Sequence, residues 1–75
     1  MNIRELAEEY ERSALLLRDR MTDLERAQKE AEEEQTRAQL ELRLRPLRSM
    51  YRDTRAVVRY LKRYTETPAK KEEHA

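Results

Sequence analysis

The residues that could form a core fall into two helical seams that cannot share one straight helix. From the amino end, Ile3, Ala7, Tyr10, Ala14, Leu17, Met21, Leu24, Gln28, Ala31, Gln35 and Ala38 recur at alternating steps of four and three, the heptad rhythm of a coiled coil. A second seam with the same rhythm runs through Leu40, Leu44, Leu47, Tyr51, Thr54, Val58, Leu61 and Thr65, widened on one side by Met50, Val57 and Tyr64. The seams differ in phase. At about 100° per residue, Leu47 would stand roughly 140° around the helix from Leu24, so one unbroken rod would carry its apolar stripes on different faces. A break between the seams removes the conflict.

Composition restricts what the break can be. The chain has no glycine, and its two prolines are at 46 and 68, which leaves little from which to build β-hairpins, tight turns or glycine-rich phosphate loops. Ala, Glu, Lys, Leu and Arg supply 48 of the 75 residues, the signature of long helices. Thr36 followed by Gln39 has the capping-box pattern of a helix start, and a turn near Glu34 leaves arms of nearly equal length. Pro46 is the rival break, because its ring removes a helical N–H and clashes with the preceding turn. With the turn near Glu34, Pro46 becomes a kink in the second arm. The expected fold is all-α: a two-helix antiparallel hairpin, coiled-coil-like, with arms at about 2–33 and 36–65. Residues 66–75 lose the periodicity, contain Pro68 and are mostly charged, which predicts a disordered tail. With Phe and Trp absent and 37% of residues hydrophobic, the private core is thin, so dimerisation or a partner is expected to complete it.

Charge favours the same pairing. Residues 1–35 carry 6 basic and 11 acidic side chains, whereas residues 36–65 carry 9 basic and 2 acidic ones. Acidic and basic arms attract one another and repel their like, which selects partner and orientation in coiled coils.

The most distinctive row is Arg45, Arg48, Arg52, Arg55, Arg59 and Arg63, with Lys62 beside it, at steps of three and four. Two uses are open. The stems cover the seam while the guanidiniums pair with acids of the first arm, or the row contacts an acidic protein surface or nucleic-acid phosphates through planar, bidentate donors. Tyr51 and Tyr64 fall on or beside the seam, where packing accounts for them. Tyr60 lies off it and is a candidate contact residue. Leu15 and Leu16 project away from the first seam and predict a second contact surface.

Catalytic chemistry has little to work with. There is no cysteine, the single histidine is His74, and Ser13 and Ser49 have no base that the sequence identifies. The Glu30, Glu32, Glu33 and Glu34 cluster lacks the alternating ligands and turn glycine of a calcium loop and reads as a solvated charge run. No enzymatic activity, cofactor, metal or small-molecule substrate is expected. The longest apolar run is Ala14 to Leu17, so neither a membrane span nor a signal peptide is predicted, and the expected location is cytoplasmic.

The stretch Leu44-Arg45-Pro46-Leu47-Arg48-Ser49-Met50-Tyr51-Arg52-Asp53-Thr54-Arg55, followed by Tyr60-Leu61 and Tyr64, resembles the second helix of small arginine-rich helical proteins encoded in mobile elements of Firmicutes bacteria. The resemblance covers about residues 40–65 and implies an accessory or regulatory adaptor with no catalytic residue. Together these readings predict a protein–protein interaction module that forms a homo-oligomer or docks on a protein partner, with Leu15, Leu16, Arg48, Arg52, Arg55, Arg59, Tyr60 and Arg63 as contact residues. A nucleic-acid-binding accessory protein using the basic second helix is the alternative.

Overall fold

The computed structural model describes the backbone of residues 2–74 and the side chains of residues 2–65. The expected tail at 66–75 lies outside the residues described in full. Two helices, α1 (Ile3–Glu30) and α2 (Glu34–His74), pack against each other as an antiparallel hairpin. Its longest dimension is 62 Å and its cross-section 18 by 15 Å, the form of a rod two helices wide.

α1 starts at a capping box that the periodicity did not single out. The Asn2 side chain accepts from the Glu5 N–H at 2.8 Å, and the Glu5 carboxylate accepts from the Asn2 N–H at 3.0 Å, satisfying two donors that the first turn would leave bare. The chain then reverses over residues 31–33, close to the expected position. The expected Thr36 cap does not form, because α2 already begins at Glu34 and the Arg37 N–H donates to the Glu33 carbonyl at 3.2 Å. Gln35 and Ala38, counted with the first seam, therefore belong to α2 and are exposed. Pro46 lies inside α2 rather than at the reversal. Its position is exposed, so water can satisfy the Leu42 carbonyl that loses its helical donor.

The reversal needs no glycine because Ala31 leaves α1 in extended backbone (φ −70°, ψ 130°), and no residue has positive φ among those described. Side chains close the loop instead. The Arg37 guanidinium donates to the Ala31 carbonyl at 2.6 Å, placing a cation at the negative end of α1. Glu34 sits in the first turn of α2, where the positive end of the helix dipole favours an anion. Gln28 donates to the Arg37 carbonyl at 3.1 Å and to the Glu41 carboxylate at 3.2 Å, which explains why an amide occupies a seam position.

The seams meet. Ala7, Ala14, Leu24, Leu44 and Val58 are buried, and all of them fall on the expected seams. Every position of the second seam from Leu40 to Thr65 is at least half-buried. Ile3 and Tyr10 on the first seam remain more exposed, near the end of the rod away from the reversal.

Candidate functional site

The two helices cover one side of each other and leave two flanks. On one flank run Glu11, Arg18 and Glu25 of α1 and Glu41, Arg48, Arg55 and Lys62 of α2, each set at steps of seven. Lys62 reaches Glu11 at 3.0 Å, and Arg48 reaches Glu25 at 3.7 Å while holding Glu41 at 2.7 Å. The Arg48 guanidinium, with the Gln28 amide donating beside it, holds the Glu41 carboxyl below its ordinary value of 4.5. The same bond to Glu41 raises the pKa of Arg48 and keeps it charged. Gln28, Glu41, Arg48 and Glu25 thus form one polar cluster tying α2 to the last two turns of α1.

Of the arginine row, Arg48 is the member that pairs with the first arm. Arg45, Arg52, Arg55, Arg59 and Arg63 have no ion-pair partner among the described residues. Among the described residues, pairing with acids of the first arm is therefore confined to Arg48 and, two heptads further along, to Lys62 beside the row. Much of the acidic excess sits away from α2's row. Residues 3–30 hold 6 basic and 8 acidic side chains, while Glu32, Glu33 and Glu34 cluster at the reversal. Arg55 is half-buried beside the seam, and Arg52 and Arg59, one turn before and after it, line the outer side of this flank.

The other flank is apolar. Met50, Val57 and Tyr64, the residues that widen the second seam, lie here with Leu42 and Tyr60. Between the arms Leu24, Leu42, Pro46, Leu47 and Met50, with Arg20 and Arg43 beside them, line an open cleft of about 480 Å³. Tyr60 and Tyr64 meet edge to face with ring centroids 4.9 Å apart, and their hydroxyls are 3.0 Å apart. That bond raises the Tyr60 pKa above its ordinary 10.0. Tyr60 is thus half of a tyrosine pair rather than an isolated exposed ring.

Leu15 and Leu16 divide between the flanks. Leu15 is 43% exposed and stands one turn from both Glu11 and Arg18, on the cationic side. Leu16 is 71% exposed and stands one turn from Arg20, on the side of the cleft. Arg63 projects from the outer face of α2, away from α1. Sequence reasoning missed Gln28 and Glu41 as the centre of the polar cluster, and Leu42 and Met50 as part of the apolar strip. The seven-residue spacing of Glu41, Arg48, Arg55 and Lys62 was the available signal, but it acquires meaning only once the register between the arms is known.

Among the described residues no three carboxylates or histidines converge as metal ligands would, and no helix is long and apolar enough to cross a membrane. No protein-family model, curated protein or solved structure matches the chain.

Proposed function

We propose that the protein is a non-enzymatic protein–protein interaction module, a small cytoplasmic adaptor or regulator. The apolar flank supplies affinity, and the arginines on the other flank supply orientation and association rate. The observation that carries this reading is the strip of Leu16, Leu42, Met50, Tyr60 and Tyr64, large apolar side chains left exposed along one side of a hairpin whose own core is small. The occupant is a protein, either a second copy or a different chain. The resemblance of residues 40–65 to mobile-element proteins points in the same direction, toward an accessory role.

A second reading has its own observation. Five arginines of the row lack ion-pair partners among the described residues, and such a row suits phosphates as well as carboxylates. The acidic residues of α1 alternate with arginine on the same flank, which weakens the field that a polyanion would follow.

A photoreactive residue in place of Tyr60, activated in an extract of the source cells, tests the proposal. Discrete protein adducts should form and should be lost with Leu16→Glu and Met50→Glu. Sedimentation of the purified chain then shows whether the adduct is a second copy. Absence of protein adducts, combined with tight duplex or single-strand binding at about 50 mM salt that falls steeply toward 200 mM, overturns the proposal in favour of nucleic acid.

A further inference from the structure

The cross-arm ion pairs set a ladder with one rung that does not fit. Glu11 with Lys62 and Glu25 with Arg48 are two heptads apart on both arms, so the rung midway between them sets position 18 level with position 55. Both are arginines. Where the rungs on either side join a carboxylate to a cation, this one sets two guanidiniums on the same flank, and Arg52 and Arg59 stand one turn on either side of Arg55. The ion pair made by any of these four among the described residues is Arg18 with Asp19, at 3.7 Å and with both side chains exposed. Like charges level across paired elements repel, so this rung works against the hairpin that its neighbours hold together.

We infer that the Arg18–Arg55 rung receives a carboxylate from an acidic amphipathic helix of the partner protein, with Arg52 and Arg59 engaging carboxylates one turn away. This rests on the interaction-module reading and names the chemistry of the partner's contact. The acid missing from the ladder is supplied in trans, as a third helix laid along the groove would supply it. Planar guanidiniums favour carboxylates through paired N–H donors. Two features select a protein helix over a phosphate backbone. Glu11 and Glu25 stand seven residues, about 10 Å, to either side of Arg18, so a polyanion tracking the groove would run against both. Leu15, 43% exposed and one turn from Arg18, offers an apolar ledge that a helix can cover and a phosphate chain cannot.

The decisive variant is Arg18→Glu in the full chain, because it completes the ladder internally. It should raise Tm by about 3 to 6 °C at low salt, with the gain shrinking as salt screens the rung. Arg55→Gln, which relieves repulsion without adding an ion pair, should give a smaller rise. The binding probe is a synthetic 28-residue helix with leucines along one heptad row and, beside it, three glutamates at its centre spaced three and four residues apart to match Arg52, Arg55 and Arg59, compared with its glutamine counterpart. The wild type should bind the glutamate peptide at least tenfold more tightly than the glutamine one, and Arg18→Glu should lose at least tenfold, whereas Arg63→Gln should change neither. An unchanged or lower Tm for Arg18→Glu, equal binding of the two peptides, or displacement of the glutamate peptide by an equal concentration of short duplex DNA each overturns the inference. The Tm measurement needs no partner, so its failure rejects this rung while leaving the interaction module intact. Absence of protein adducts together with tight, salt-sensitive nucleic-acid binding rejects the module without altering the Tm result.

Discussion

Leu44 and Leu42 lie two residues apart on α2, yet Leu44 is 0% exposed and Leu42 is 61% exposed. Replacing each in turn by alanine holds helix propensity constant, since both variants make the same exchange in the same helix. The difference between them therefore measures burial. At Leu44 the lost transfer energy and the residual cavity cost about 3 kcal/mol, the low end for a fully buried leucine, because a site between only two helices can partly collapse. At Leu42 the cost is about 0.5 kcal/mol. A described fold of this size carries roughly 3 to 10 kcal/mol in total, so Leu44→Ala removes a large part of its stability. With about 4 to 8 °C of Tm for each kcal/mol in small domains, the two variants should melt roughly 10 to 20 °C apart. The assay is circular dichroism at 222 nm with both variants at the same concentration, because any association makes Tm depend on concentration. Melting within about 3 °C of each other would refute the packing of α2 against α1 through Leu44.

Two other outcomes follow from the hairpin and its polar cluster. Spin labels at Glu8 and Lys62, near the Glu11–Lys62 ion pair, should lie about 10 to 20 Å apart given helix axes 8 to 10 Å apart, whereas a continuous rod would separate them by about 80 Å. The Glu41 carboxyl titrates lower in the folded chain than in the unfolded one, so its contribution is present above about pH 4.5 and is lost as pH falls through the folded value. Glu41→Gln should therefore flatten the acid limb of a Tm-against-pH series, and an acid limb that remains as steep as in the wild type would remove Glu41 as a cause.

Fold class was legible because it rests on local periodicity. The phase jump between the seam read as far as Ala38 and the seam beginning at Leu40 called for a break between them, and the seam residues Ala7, Ala14, Leu24, Leu44 and Val58 form the buried core, although Gln35 and Ala38 fall in α2 and are exposed. Absence of glycine marked a helical chain but gave no view of how the loop closes. That closure is non-local, since the Arg37 guanidinium finds the Ala31 carbonyl and Gln28 finds Arg37 and Glu41 only when the arms lie side by side. Thr36 misled for the opposite reason, as a local capping pattern was overridden by a helix already started at Glu34. Arm-wide charge identified which helices attract but not which side chains meet, because ion pairs need a register accurate to one residue. Tertiary structure alone decided that register. It joined Arg48 to Glu25 and Lys62 to Glu11, and it set Arg18 level with Arg55, a juxtaposition of residues 37 positions apart that no local pattern encodes.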